Sequence, residues 1–182
     1  MITVRVADSR DTRAIATVQV ESWRVAYAGL IPDDVLDRLD IDRNTKHRTD
    51  RWDEMHSDPR SVELLAEVDG ELAGWASFGA CRDEDRATWG EILAFYALPG
   101  FWGRGVGHAL MAEVERRLSD SGFIDCSLWV LDGNTRAAEF YERHGWREDG
   151  ATKADETTVP GVTLFDRRRV KTLTPEDSSS NR

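Results

Sequence analysis

Three glycines alternate with other residues in the segment Gly103-Arg104-Gly105-Val106-Gly107, between a predicted strand and a predicted helix. The strand, residues 89–98, is apolar on both faces apart from Glu91 and is followed by a proline, as is typical of a central strand that stops abruptly. The helix is indicated by apolar residues at helical spacing, namely Val106, Leu110, Val114 and Leu118. A strand, a tight turn and an amphipathic helix in direct succession predict a mixed α/β fold.

The same turn predicts an anion site. Glycine lets the backbone approach a ligand closely, and the N–H groups of a first helical turn have no intrahelical partners. The helix dipole adds roughly half a positive charge at this end, so phosphate or pyrophosphate is the expected guest. A Walker loop does not fit because no Lys-Ser or Lys-Thr follows the glycines, and a GxGxxG fingerprint does not fit because His108 follows Gly107. A P-loop-type nucleotide enzyme is therefore disfavoured. A turn that only packs the helix closely on the strand is the alternative.

The rest of the chain predicts the order strand, helices, three strands, helix, strand, helix and two strands around one sheet. Residues 62–68 and 71–78 flank Asp69-Gly70, a dipeptide that favours a two-residue hairpin. A strand over 124–130 precedes a short helix that Asn134 caps and Gly145 ends. We expect one α/β domain over residues 1–173 and a flexible polar tail over 174–182, because the tail has nothing to bury.

Composition excludes several classes of function. A net charge of -10 over 182 residues argues against nucleic-acid binding, and it is compatible with amine substrates, although acidity also simply keeps enzymes in solution. No apolar run approaches the roughly 20 residues that cross a bilayer, and the start lacks a secretion signal, so we expect a cytoplasmic protein. Two distant cysteines and four histidines without ligand spacing predict neither a disulfide nor a metal site.

Residues 95–110 resemble the acetyl-CoA signature of the GNAT family of N-acetyltransferases, Q/R-x-x-G-x-G/A, which follows a strand that ends in proline. Trp102 departs from it, since Gln or Arg is usual there. A second family segment, LxVxxxNxxAxxxYxxxGF, is matched at Leu128, Val130, Asn134, Ala137 or Ala138, Tyr141 and Gly145, with Trp146 in place of Phe. The resemblance covers roughly residues 2 to 171 and weakens over 30–60. It implies a central, mostly antiparallel mixed sheet of about seven strands flanked by helices, and acetyl-CoA as cofactor.

The resemblance also implies how acetyl-CoA is held. Backbone amides bind the pyrophosphate along the turn, at Gly103, Arg104, Gly105, Val106, Gly107 and His108, with Trp102 at the position of the usual side-chain contact. Backbone groups at Ala97 and Leu98 hold the thioester carbonyl and the pantetheine. Asn134 hydrogen-bonds the pantetheine arm, and an ordinary N-cap is its alternative role.

Two residues are candidates for proton transfer. The family counterpart of Tyr141 protonates the CoA thiolate, which a phenol with a pKa near 10 can do, and a core tyrosine is the alternative. Glu91 shares strand alternation with Leu93, Phe95 and Ala97, so we expect its carboxylate on an apolar surface. Family members with glutamate here use it to take a proton from the amine; a frayed strand end in solvent is the alternative.

Trp23 and Tyr27 fall in the segment that covers the acceptor site in the family, so with Glu91 they are the expected substrate residues. The resemblance therefore implies acetyl transfer to the primary amine of a small molecule, such as a polyamine, an amino acid or an antibiotic, by direct attack. The alternatives are a catalytically silent acyl-CoA-binding module and acetylation of a protein N-terminus. Family members often form dimers, so a homodimer stays open.

Overall fold

A computed structural model of the protein describes residues 1–156, 158–159 and 161–173; the predicted tail over 174–182 lies outside them. Within the described residues seven strands form one sheet in the order β1-β2-β3-β4-β5-β7-β6. The strands are β1 Ile2–Val6, β2 Val62–Val68, β3 Glu71–Ala80, β4 Gly90–Ala97, β5 Asp125–Leu131, β6 Arg147–Asp155 and β7 Leu164–Thr172. Among the strands that the structure describes, only β4 and β5 pair in parallel, which confirms the predicted mixed, mostly antiparallel sheet.

Helices flank the sheet on both faces. They are α1 Thr12–Ala26, α2 Asp33–Asp37, α3 Ile41–Met55, α4 Val106–Asp120 and α5 Thr135–Arg143. Each predicted helix is present, and side chains cap two of them: Asp40 accepts from the Arg43 amide and Asn134 from the Ala137 amide. In the described part of the chain every helix is too short or too polar to cross a lipid bilayer.

Strand alternation divides the core into two layers. Leu64 turns toward α4 and packs with Phe78, whereas its neighbour Leu65 turns toward α1 and packs with Trp75. A third, smaller cluster joins Ile31 and α2 to the connection between β6 and β7 through Val159 and Leu164. Ile31 and Leu164 of this cluster also line a cavity that is described below.

A β-bulge in β4 overturns one expectation. Phe78 pairs with Ile92 and Ser77 with Ala94, so Leu93 is an extra residue without a partner on β3. The bulge inverts the alternation, and Ile92 and Phe95 therefore both pack in the α4 layer. Glu91 accordingly lies on the opposite face from Phe95, and the prediction that the two share a face is wrong.

The sheet opens between its two parallel strands. β4 and β5 pair only from Gly90 to Ile92 and from Cys126 to Leu128. Beyond this point residues 93–97 of β4 and 129–131 of β5 continue without pairing to each other. We call this opening the wedge. It leaves backbone N–H and C=O groups of two strand edges without ladder partners, and such groups require other partners.

Candidate active site

A cavity of about 400 Å³ enters the wedge from the side of α4 and α5. Its wall consists of residues 92–97 of β4, 128–131 of β5, the glycine-rich turn and the inner side of α5. We call it the first cavity. It brings together most residues that the two sequence motifs single out: Ala97, Trp102, Gly103, Gly105, Val106, Gly107, His108, Asn134 and Tyr141.

The glycine-rich turn presents uncapped N–H groups to this cavity. Gly105 is the N-cap of α4 with φ 85°, a left-handed conformation that favours glycine, and no side chain of the described residues caps the helix. The first bond of the helix runs from the Ala109 amide to the Gly105 carbonyl at 3.0 Å. The three preceding N–H groups, of Val106, Gly107 and His108, therefore have no acceptor in the helix and can bind an anion.

Two predicted cofactor residues are not brought to the first cavity. The Leu98 amide donates to the Ala73 carbonyl at 2.8 Å, so it continues the β3–β4 ladder rather than facing a ligand. The Arg104 amide donates to the Phe101 carbonyl at 3.3 Å, and the exposed guanidinium lies 5.0 Å from the Phe101 ring centroid. Neither residue lines the cavity.

Trp102, the departure from the family signature, has two partners. Its Nε1 donates to the Ala97 carbonyl at 2.7 Å and so uses a free edge group of β4. Its ring lies against the Arg136 guanidinium, whose Cζ is 3.2 Å from the ring centroid, in cation–π contact. Arg136 lines the first cavity and is a site residue that the sequence reasoning missed. Its place between Asn134 and Ala137 in the second motif was the available signal.

Asn134 and Tyr141 line the same cavity from α5. The Asn134 Oδ1 accepts from the Ala137 amide at 3.2 Å, which confirms the N-cap role and leaves the side-chain NH₂ for a ligand. Tyr141 is buried between Phe95 and Phe140, yet its hydroxyl has no hydrogen-bond partner among the described residues. Burial raises the pKa of Tyr141 above its ordinary value, so the phenol stays protonated at neutral pH and is a donor.

A second cavity, of about 560 Å³, meets the first at the wedge. The two share six lining residues: Tyr27, Ile92, Leu93, Tyr96, Trp129 and Leu131. Trp23 lines the second cavity only and packs edge-on against Tyr27, with ring centroids 5.0 Å apart. The hydroxyls of Tyr27 and Tyr96 lie 3.3 Å apart. The predicted substrate residues Trp23, Tyr27 and Glu91 are thus brought together here.

The second cavity is strongly acidic. Five carboxylates and two cationic side chains line it: Asp83, Glu91, Asp155, Glu156 and Asp166, with Arg82 and Lys153. Several of these come from β6 and β7, a contribution that the sequence reasoning did not anticipate. Such a lining attracts cations and repels anions.

Glu91 is fully buried, so the alternative of a frayed strand end in solvent is wrong. Its carboxylate accepts three hydrogen bonds from Arg82: from Nη2 at 2.8 Å, from Nε at 3.1 Å and from the backbone amide at 2.9 Å. The same contact raises the pKa of Arg82. A carboxylate engaged in this way has few lone pairs left for a hydrogen bond from an incoming amine.

The sheet opens beyond the short parallel pairing of β4 and β5, with an uncapped helix N-terminus beside the first cavity and an acidic lining around the second. The first arrangement suits an anionic ligand, and the second suits a cationic one. Residues 23–146 match the Acetyltransferase (GNAT) family, and the chain belongs to that family. The protein is therefore an acetyl-CoA-dependent N-acetyltransferase, as the sequence predicts.

Individual relatives agree with this assignment. The chain is 36% identical over 134 residues to the uncharacterized N-acetyltransferase YuaI of Bacillus subtilis (strain 168), with 74% of each chain covered. It is 22% identical over 157 residues to a spermidine N(1)-acetyltransferase of Thermoplasma acidophilum, covering 85% of this chain and 93% of that protein. The PaiA N-acetyltransferase of Thermoplasma acidophilum in complex with coenzyme A shares the fold, with a TM-score of 0.70 at 22% identity over 94% of this chain and 99% of that one.

Proposed function

We propose that the protein acetylates a primary amine of a small, polycationic molecule, with a polyamine as the acceptor class. The observation that carries this proposal is the lining of the second cavity. Five carboxylates line it, and it adjoins the first cavity at the wedge. An ammonium group gains from such a lining, whereas an amino acid brings a carboxylate that the lining repels. The similarity to a protein named spermidine N(1)-acetyltransferase supports the same class.

The first cavity fits acetyl-CoA on chemical grounds. The N–H groups of Val106, Gly107 and His108 would receive the pyrophosphate, and Arg136 supplies a cation beside them. The free edges of the wedge would pair with the amide groups of the pantetheine, as an added strand pairs with a sheet edge. When bound there, acetyl-CoA supplies a thioester whose acetyl carbon accepts the amine nitrogen.

Tyr141 would supply the proton that the departing sulfur needs. Its hydroxyl is protonated because burial raises its pKa, and it lies in the wall of the first cavity without a hydrogen-bond partner among the residues described. The burial that weakens this acid also raises the proton affinity of a thiolate held beside it, so the transfer stays feasible. A binding module without catalysis would need no such donor.

The test is release of free thiol from acetyl-CoA with a panel of amines: spermidine, putrescine, a neutral amino acid, an aminoglycoside and a short peptide with a free N-terminus. We expect turnover with the polyamines and much lower kcat/KM for the amino acid. A preference for the peptide would replace the small-molecule acceptor with a protein N-terminus. No turnover with any amine, while calorimetry shows tight binding of CoA, would favour the silent binding module.

A further inference from the structure

We propose that Asp166, on β7, is the carboxylate that binds the ammonium group of the acceptor and takes its proton. This inference rests on the proposed function and assigns a role that the sequence motifs give to Glu91. Four observations carry it: the place of Asp166 in the sheet, its unused acceptor capacity, its neighbours and its basicity.

The sheet places Asp166 beside the wedge. On one side it pairs with Leu131, the last residue of β5, and on the other with Lys153 of β6. Leu131 lines both cavities, and Asp166 lines the second. An acceptor that is bound at Asp166 is therefore adjacent to the strand ends between which the two cavities meet.

The other carboxylates that line the second cavity already have partners or are exposed to solvent. Asp83 accepts from Trp129 Nε1 at 3.0 Å and from Arg168 Nη1 at 3.3 Å, and Asp155 accepts from the Thr158 amide at 3.0 Å. Glu91 is held by Arg82, and Glu156 is exposed.

Asp166, by contrast, is partly buried, and its carboxylate makes no hydrogen bond or ion pair with any residue the structure describes. The nearest cationic side chain does not neutralise it, since Lys153 Nζ lies over the Trp129 ring, 4.3 Å from its centroid. A half-buried carboxylate with unused acceptor sites gains from an incoming ammonium ion.

The groups that face Asp166 come from three elements. Tyr27, the C-cap of α1, and Tyr96 on β4 line the second cavity together with Asp166. Burial is the main cause that raises the pKa of both phenols, and the charge of Asp166 adds a smaller effect in the same direction. Lys153 and Asp155 of β6 act on it in opposite senses. Burial is the larger influence and raises the pKa of Asp166 above that of an ordinary aspartate, so it is a stronger base.

The proton and electron balance of the step is complete. The ammonium nitrogen gives one proton to Asp166, and its freed lone pair forms the C–N bond to the acetyl carbon. The C–S bond breaks, and its electron pair leaves with sulfur. The nitrogen then loses a second proton while sulfur gains one, with the Tyr141 hydroxyl as donor that is afterwards reprotonated. Asp166 returns its proton to solvent, so each turnover yields one amide, one thiol and one released proton.

The test compares Asp166→Asn with two other carboxylate variants, with spermidine as acceptor. We expect Asp166→Asn to lower kcat/KM by about 100-fold or more and to remove the acidic limb of the pH profile, while the Kd of CoA changes by less than about twofold. The pH profile of kcat/KM of the Glu91→Gln variant should still show an acidic limb. Glu71→Gln, which removes an exposed carboxylate outside both cavities, should match the wild type. An Asp166→Asn enzyme with near-wild-type kcat/KM, or with its acidic limb intact, overturns the proposal.

Two further measurements keep the outcomes separate. If Asp166→Asn does not fold, Asp166→Glu replaces it; partial activity with a displaced acidic limb supports the role, and an undisplaced limb contradicts it. If wild-type enzyme acetylates no amine, the proposed function fails, but calorimetry of spermidine with the CoA complex still tests Asp166. Binding that Asp166→Asn abolishes supports the ammonium site, whereas unchanged binding, or no binding to the wild type, overturns it.

Discussion

Two variants of Trp102 measure separately how much each of its two contacts contributes to the binding of CoA. Its indole has two contacts: the hydrogen bond from Nε1 to the Ala97 carbonyl at 2.7 Å, and the face against Arg136 at 3.2 Å. Trp102→Phe removes the first contact and keeps an aromatic face, whereas Trp102→Ala removes both. The pair of variants therefore distinguishes the hydrogen bond from the cation–π contact.

The expected magnitudes follow from these contacts. A neutral hydrogen bond contributes about 1 kcal/mol, so Trp102→Phe should weaken CoA binding by at most about fivefold. The exposed cation–π contact adds roughly 0.5–1 kcal/mol, so Trp102→Ala should weaken binding by about 10- to 30-fold in total. Part of each loss will appear as lower stability, because the indole also ties the turn to β4.

The assay is calorimetric titration with CoA at fixed salt, with thermal unfolding of the same samples to report stability. Trp89→Ala is the matched control, since Trp89 also carries an arginine guanidinium, with Arg86 Cζ 4.7 Å from the ring centroid, but lines neither cavity. We expect its Kd to equal that of the wild type. A Trp102→Ala protein that binds CoA as tightly as the control would refute the role assigned to Trp102 and Arg136.

Four further predictions concern catalysis and stability. Tyr141→Phe should lower kcat by about 100-fold with the Kd of CoA unchanged, and a loss confined to KM would contradict the acid role. Gly105→Ala forces a side chain into φ 85° at the N-cap of α4 and should lower stability by about 1–2 kcal/mol together with CoA affinity, as denaturant unfolding and calorimetry measure. Arg48→Met leaves the buried Glu63 without its cation, Nη1 to Oε1 at 3.4 Å, and should cost about 3–5 kcal/mol in denaturant unfolding; a loss under 1 kcal/mol would count against it. Asp166→Asn should be at least as stable as the wild type at pH 7, because the raised pKa means that the charged carboxylate destabilises the fold above that pKa. This advantage should vanish as the pH falls below the pKa of an unfolded aspartate.

Much of the architecture was predictable because local patterns were strong. Asp69 and Gly70 both adopt positive φ, 53° and 84°, which is the turn that an Asp-Gly pair between alternating strands predicts. Helical spacing from Val106 to Leu118 and the cap at Asn134 located α4 and α5 within a few residues. These signals depend only on near neighbours in the chain.

The sequence contains no comparable local signal for the bulge in β4 or for the wedge. Because β4 is apolar on both faces apart from Glu91, a single extra residue at Leu93 places Glu91 and Phe95 on opposite faces without altering the sequence pattern. The acidic lining arises where β6 and β7 fold back beside β5, so it depends on pairing between distant segments. Asp166 precedes three arginines in the sequence, where a charged residue would ordinarily be interpreted as a solvated strand face.

The most direct test of the proposed function is the stoichiometry of a reaction between acetyl-CoA and spermidine, with thiol measured by absorbance and acetylated amine by mass spectrometry. The proposed function requires one mono-acetylated spermidine for every thiol released, at a rate far above the reaction without enzyme. Thiol release without acetylated amine, or no product with spermidine and any other amine despite CoA binding, would contradict it.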